Sequence, residues 1–240
     1  MLELQELVWH LPDGEPIING VSYKANSKLT VVTGPNGGGK TTLAKLIAGV
    51  VTPDSGKILL DGEDITNLDI TERAKRGIAY AFQQPVRFKG LTVRDLLELA
   101  AGEKLRDTSL CELLGKVGLC AEEYIDREMS AALSGGEAKR IEIATVLARK
   151  AKLSVFDEPE AGIDLWSFSR LVETFEEIRN STEGSLVVIS HQERILSIAD
   201  EIVVIADGKV RTAGAREDIL PALLKGEYTC SCPKRNGGVC

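Results

Sequence analysis

Gly34-Pro35-Asn36-Gly37-Gly38-Gly39-Lys40-Thr41-Thr42 has the spacing G-x-x-x-x-G-K-[ST], that of a loop built to hold phosphate. The run before it, Leu29-Thr30-Val31-Val32-Thr33, is short, apolar and β-branched, and reads as a buried strand. After it, Leu43, Leu46, Ile47 and Val50 recur at helical spacing. Strand, glycine loop and helix are the context the chemistry requires. Glycines let the backbone wrap closely, with successive N–H groups aimed inward as donors. The helix start adds partial positive charge, Lys40 reaches the β- and γ-phosphates, and the Thr41 hydroxyl is a ligand for Mg²⁺. A glycine-rich turn before an arbitrary helix would share the composition but not both flanks. The stretch predicts nucleoside triphosphate binding.

Two further stretches gain meaning from that loop. Leu153-Ser154-Val155-Phe156 reads as a strand ending in Asp157-Glu158. Open α/β sheets bind ligands at the carboxyl ends of their strands, which turns both carboxylates toward the phosphates. Asp157 would hold the metal, directly or through water, and Glu158 would orient and polarise the attacking water. Alone, an Asp-Glu pair after a strand is only the start of a loop. Leu133-Ser134-Gly135-Gly136-Glu137 reads first as a capping box, Ser134 with Glu137 three residues on. Its two first-turn glycines each cost about 1 kcal/mol against alanine. That cost fits a backbone that something must approach closely, and a hydroxyl beside bare N–H groups at a helix start is a phosphate site. The phosphate loop already serves one face of the nucleotide, so this second site would act on a nucleotide held elsewhere.

The chain around these stretches alternates strands and helices, which implies a mainly parallel, doubly wound α/β sheet. Residues 2–8 read as an edge strand, with Leu2 and Leu4 in alternation and Val8 after a break. Extended runs follow at Ile17–Tyr23, Lys57–Leu60 and Gly77–Phe82, the last delivering Gln83. Thr52-Pro53-Asp54-Ser55-Gly56 stops the helix begun at Lys40, and a short helix lies within Ile65–Arg76. From Gln84 to Leu133 the pattern is helical: Thr92 caps a helix bearing Leu96, Leu97, Leu99 and Ala100, and Leu110, Leu113, Leu114 and Val117 follow, all read as ordinary packing. Further helices are expected from Gly135 to Lys150 and from Leu165 to Arg179, with strands at Leu186–Ile189 and Ile202–Ile205.

At 240 residues, 43% hydrophobic and 27% charged, the chain is long enough for one sizeable core. A net charge of −7 argues against nucleic-acid binding through a basic surface. No run of about 20 apolar residues and no signal pattern is present, so a cytoplasmic protein without direct membrane insertion is expected. Five cysteines are too few for a disulfide framework; Cys230, Cys232 and Cys240 cluster in the tail. Cys-x-Cys puts two soft ligands within reach of one metal, although three thiolates fall short of a closed zinc site.

In order along the chain, Gly34–Thr41, Gln83, Leu133–Glu137, Asp157-Glu158, Ala161-Gly162-Ile163-Asp164 and His191 resemble the motifs of the ATP-binding-cassette (ABC) ATPases. The resemblance covers about residues 2–215. It implies a P-loop NTPase fold with a RecA-like core, an antiparallel β subdomain and a helical subdomain at about 84–133. These would form one ATPase domain over 1–225, followed by the cysteine-containing tail 226–240. It implies ATP and Mg²⁺ as cofactors and an ATP-dependent head-to-tail dimer. In that dimer the turn Ser134-Gly135-Gly136-Glu137 of one cassette clamps, through Ser134 and Gly136, the γ-phosphate held by the other. Gln83 would sense Mg²⁺ and water, Asp164 would link the two sites, and His191 would contact the γ-phosphate. By residue type alone His191 is a strand-end histidine. An aromatic near the N-terminal strand stacks on adenine in this family; Leu11 stands at that position and Trp9 is the nearest aromatic.

Finer details resemble the SufC-type cassettes of iron–sulfur cluster assembly. They are Gly62-Glu63-Asp64-Ile65 with Glu72-Arg73-Ala74, Ala81-Phe82-Gln83 with Pro85-Val86, Gly135-Gly136-Glu137 followed by Lys139-Arg140, and His191-Gln192-Glu193-Arg194-Ile195-Leu196. Transport cassettes usually carry Gln where Glu137 stands, whereas Val51–Gly56 has the generic cassette form. That resemblance implies a SufB/SufD-type scaffold as partner. The tail, which the cassette family does not account for, reads first as a frayed terminus with incidental thiols; in a cluster-assembly protein it would transiently hold iron, a cluster or a persulfide. The alternative is the ATP-hydrolysing subunit of a membrane transporter, which would share every catalytic residue and grip its partner beside Gln83–Leu91. A cassette acting on ribosomes or DNA would usually carry a second cassette or a long insertion.

Overall fold

The computed structural model describes residues 1–130, 133–181 and 184–225. Cys230, Cys232 and Cys240 lie outside the described residues. Strands β1 (Leu2–His10) and β2 (Pro16–Ala25) pair ahead of β3 (Leu29–Thr33) and helix α1 (Lys40–Ala48). Next come β4 (Ser55–Leu60), β5 (Glu63–Asp64), α2 (Ile70–Lys75) and β6 (Ile78–Ala81). Three helices follow, α3 (Val93–Ala101), α4 (Asp107–Lys116) and α5 (Ala121–Tyr124). The chain then runs through α6 (Gly135–Ala148), β7 (Leu153–Asp157), α7 (Leu165–Ser181), β8 (Ser185–Ile189) and α8 (Glu193–Ile198). It closes with β9 (Glu201–Ala206), β10 (Lys209–Ala215) and α9 (Arg216–Leu224).

Two sheets organise these elements. A six-stranded sheet has the order β10-β9-β3-β8-β7-β6, parallel except for β10. A four-stranded antiparallel sheet has the order β2-β1-β4-β5. Helix α1 lies between them: Leu43, Ala44, Leu46 and Ile47 share one core with Leu4, Ile18 and Ile58 of the antiparallel sheet and with Val32, Val187 and Val203 of the larger one. Each such fully buried aliphatic side chain contributes about 1.5–3 kcal/mol relative to exposure. On the opposite face of the larger sheet, α3, α4, α6, α7 and α8 build a second core around Phe156 and Phe175.

The expected α/β class and the antiparallel sheet are present, and several finer expectations change. β1 is not an edge strand; it pairs with β2 on one side and β4 on the other. The break in its alternation is a bulge, with Glu6 at φ 46° and a register shift between Leu4 and Leu7. Helix α1 stops at Gly49 (φ 78°), before Thr52, and Val50 beyond it is exposed. The buried Arg73 guanidinium secures that end by donating to the Leu46 and Ile47 carbonyls. Thr92 caps α3 in a full capping box with Asp95, but Leu99 faces solvent, 75% exposed, because it lies off the inward stripe that Val93, Leu96 and Leu97 form. The strand β10 and helices α8 and α9 had no distinct sequence signal: β10 has two basic residues around Val210 followed by Thr212-Ala213-Gly214-Ala215, and α9 carries Pro221.

Candidate functional site

Four neighbouring strands of the parallel sheet end on one side of the molecule, in the spatial order β3-β8-β7-β6. β3 runs into the Gly34–Gly39 loop, β8 into Ser190-His191, β7 ends on Asp157 followed by Glu158, and β6 leads through Phe82 to Gln83. Sequence positions more than a hundred residues apart therefore meet because parallel strands in register share one carboxyl edge.

The phosphate loop is shaped by its own backbone. Gly34, Gly37 and Gly39 have φ of 134°, 77° and 101°, a region that side chains disfavour. A Cβ on Gly34 would stand 1.9 Å from the Ile205 carbonyl oxygen, and one on Gly39 would stand 2.8 Å from that of Ile17. Helix α1 starts at Lys40 with no side-chain cap and no acid in its first turn, so its N-terminal dipole is uncompensated. Lys40 is buried, and its ammonium donates to the carbonyls of Gly34 (2.8 Å) and Pro35 (2.9 Å). Burial lowers its pKa, while Glu158 and Asp157 pull it back up.

Asp157 is fully buried. It accepts hydrogen bonds from the Thr41 hydroxyl (3.1 Å) and the Tyr80 hydroxyl (3.2 Å). Burial raises its pKa against those two bonds. A buried carboxylate beside a threonine hydroxyl is a hard-oxygen donor pair that suits Mg²⁺. Glu158 sits in the left-handed region, φ 46°, with its N–H bonded to the Ile189 carbonyl at 3.0 Å. Such strain in a non-glycine residue collects at functional sites. Its carboxylate accepts from Gln83 Nε2 at 2.7 Å and lies 4.0 Å from His191 Nε2. Burial lowers the His191 pKa, Lys40 lowers it further and Glu158 opposes both. The turn carrying His191 is held by Ser190, whose hydroxyl donates to Glu160 at 2.6 Å and accepts the Gln192 N–H at 3.0 Å.

The stretch Ser134–Glu137 begins α6. Ser134 caps the helix: its hydroxyl accepts the Glu137 N–H at 3.2 Å, and Glu137 accepts the Ser134 N–H at 2.7 Å. Glu137 also accepts from the Tyr124 hydroxyl, and Arg127 stands 3.8 Å away. These partners, Tyr124 foremost, hold its pKa at about 2. The two glycines differ. A Cβ on Gly136 would stand 2.7 Å from the Gly162 carbonyl oxygen of the same chain, whereas Gly135 has nothing within 4 Å. The close approach expected at Gly136 is thus intramolecular, and Gly135 faces open space. Asp164 accepts the N–H groups of Trp166 (3.1 Å) and Ser167 (3.0 Å) at the start of α7. Trp9 is half-buried, packs on the core around α1 and pairs across the strand with Ile18, next to the Ile17 carbonyl that abuts Gly39.

The structure thus brings together Gly34–Thr41, Gln83, Asp157, Glu158 and His191; Thr42 continues the helix, and Gly136 lies against the Gly162-Ile163 backbone that leads into Asp164. Tyr80 on Asp157 was not singled out from the sequence, since a tyrosine in a strand reads as packing. Among the described residues no cluster of three His, Cys, Asp or Glu side chains forms a metal site, and no helix is long and apolar enough to cross a membrane.

Known proteins bear on this geometry. The sequence profile of the ABC transporter family matches residues 18–161. An uncharacterized ABC transporter ATP-binding protein of Methanocaldococcus jannaschii is 36% identical, over 85% of this chain and 84% of the relative. The lipopolysaccharide export system ATP-binding protein LptB of Haemophilus influenzae is 35% identical, over 85% of this chain and 86% of its own length. A dimeric ATP-binding cassette solved in a post-hydrolysis state with ADP and Pi has the same fold, with a TM-score of 0.80 at 22% identity over 90% of this chain and 99% of that one. This chain belongs to the ABC transporter family, as an ATP-binding cassette with the P-loop fold that hydrolyses ATP.

Proposed function

We propose that the chain is the nucleotide-binding subunit of an ABC transporter assembly, and that it hydrolyses ATP between two of its copies. The observation that carries this reading is the convergence of Lys40, Thr41, Asp157, Glu158, Gln83 and His191 on four adjacent strand ends. The Gly34–Gly39 backbone and the bare start of α1 hold the phosphates. Lys40 exchanges the Gly34 and Pro35 carbonyls for phosphate oxygens. Mg²⁺, held by Thr41 and Asp157 with Gln83 beside them, would neutralise charge on the phosphates. Glu158, fixed by Gln83, orients the attacking water and takes up its proton. His191, kept neutral by burial, offers an N–H toward the γ-phosphate. Trp9, beside the β2 edge of the loop, supplies the adenine face.

Gly135 of the Ser134 turn has nothing within 4 Å, which supports a head-to-tail dimer where that turn reaches the nucleotide of a second copy. Asp164, immediately before the exposed Leu165 and Trp166, would join the two sites. Val86 and Phe88, exposed a few residues beyond Gln83, supply apolar contacts for the partner. Relatives named for lipopolysaccharide export favour a membrane component as that partner. A second reading keeps a SufB/SufD-type scaffold in that place; its support is Glu137 at the position where transport cassettes usually carry Gln.

Glu158→Gln should retain ATP binding and lose turnover roughly a hundredfold or more, because shape stays while charge goes. Steady-state phosphate release within twofold of the unmodified protein removes Glu158 from its role. Affinity purification from detergent-solubilised cells separates the partners: recovery of a multi-span protein supports the transporter reading, and recovery of a span-free scaffold supports the other.

A further inference from the structure

Two charged side chains of α6 are buried where a packed helix would ordinarily carry apolar ones. The Lys139 side chain is 0% exposed and that of Glu142 is 10% exposed, with the two groups 3.3 Å apart. Burying such a pair is costly and is often neutral or unfavourable beside an apolar pair of the same volume. What distinguishes this pair is its other bonds. Glu142 Oε1 accepts the Phe82 N–H at 3.0 Å. Lys139 Nζ donates to the Phe82 carbonyl and, at 3.3 Å, to that of Gln83. The ladder between β6 and β7 ends at Ala81 opposite Phe156. Just beyond it, α6 holds three backbone groups, the Phe82 N–H and the carbonyls of Phe82 and Gln83. The Gln83 side chain on that clamped backbone reaches Glu158 at 2.7 Å. The N-terminal end of α6, five residues before Lys139, is the Ser134 turn.

We propose that Lys139 and Glu142 are positioning residues that couple the Ser134 turn to Gln83, and through Gln83 to the alignment of Glu158. The proposal rests on the reading of Ser134 as a clamp and of Gln83 and Glu158 as water-ordering groups. Helix α6 is one unbroken helix of 14 residues. A shift of its N-terminus on meeting phosphate therefore carries Lys139 and Glu142 along, and the Phe82-Gln83 backbone follows. An apolar pair would fill the same space and transmit nothing, because it could not grip backbone carbonyls.

The test is a double-mutant cycle in the full chain, reading kcat, KM for ATP and thermal midpoint. Lys139→Met keeps the stem and removes the ammonium. We expect kcat to fall roughly tenfold with KM within twofold, and the double variant Lys139→Met/Gln83→Ala to be no slower than Gln83→Ala alone. A role confined to stability would lower the thermal midpoint and leave kcat intact, which overturns the coupling. So would losses that multiply in the double variant. Should Lys139→Met fail to fold because Glu142 is left without its partner, the apolar pair Lys139→Met/Glu142→Leu, which grips none of these backbone groups, enters the same cycle with the same expectation. A slow Gln83→Ala beside a fully active Lys139→Met removes the coupling alone; a fully active Gln83→Ala removes the coupling and the role of Gln83 together.

Discussion

Helices α1 and α6 both begin with glycine-rich turns, yet their N-termini are built in opposite ways. α1 starts after Gly39 at φ 101°, with no side-chain cap and no acid in its first turn. α6 starts after Ser134 in an extended conformation, with a complete capping box and Glu137 in the first turn. The first leaves its N–H groups and positive dipole end uncompensated, beside a buried lysine, and is suited to hold several phosphate charges. The second has used one N–H on its cap and set a carboxylate, anionic down to a pH of about 2, against its own dipole. Such a start attracts anions weakly. It suits a group that engages one phosphate edge and lets go, whereas α1 suits a group that retains the nucleotide.

The largest effect tests that division of labour directly. Lys40→Ala should abolish ATP binding, while Ser134→Arg should leave KM within about twofold and lower turnover roughly a hundredfold, as for loss of a transition-state donor. Mixing the two inactive proteins should restore activity, because one mixed site then joins an intact loop to an intact Ser134 turn. No recovery over a range of mixing ratios would break the assignment of the two starts to two copies.

A smaller effect separates structure from function within α6. Gly135→Ala meets nothing within 4 Å and gains about 1 kcal/mol of helix propensity. The thermal midpoint should rise by roughly 2–4 °C for a domain of this size, while turnover falls severalfold because a methyl group stands where phosphate must approach. A faster enzyme, or an unchanged one, would mean that this face meets no ligand. Gly136→Ala makes no such test, since its methyl would press on the Gly162 carbonyl.

The smallest effect is in the pH dependence of stability. Glu137 is depressed in the folded state, chiefly by Tyr124 and then by Ser134. Its contribution is therefore full above the ordinary glutamate pKa of about 4.3 and is lost as pH falls toward 2. Urea midpoints of the unmodified protein and Glu137→Gln should differ most at neutral pH and converge between about pH 5 and pH 2. A constant difference over that interval would show that the Tyr124 bond stabilises equally with a neutral acceptor.

The β3–loop–α1 unit was legible from residues alone because its requirements are local: left-handed glycines, a strand before them and a helix after. The Asp157-Glu158 pair was legible for the same reason, as a strand end, and the capping box of α6 as a four-residue pattern. Tertiary structure decided what stands beside each of them. The order β3-β8-β7-β6 set His191 and Gln83 on either side of Glu158, and no spacing along the chain encodes that order. It also made β1 a central strand, turned Leu99 to solvent and gave Gly136 an intramolecular reason to lack a side chain. Lys139 and Glu142 show the limit most clearly. At i and i+3 on a helix they read as a solvated ion pair, and only the packing of α6 against the end of β6 buries them on the backbone of Phe82 and Gln83.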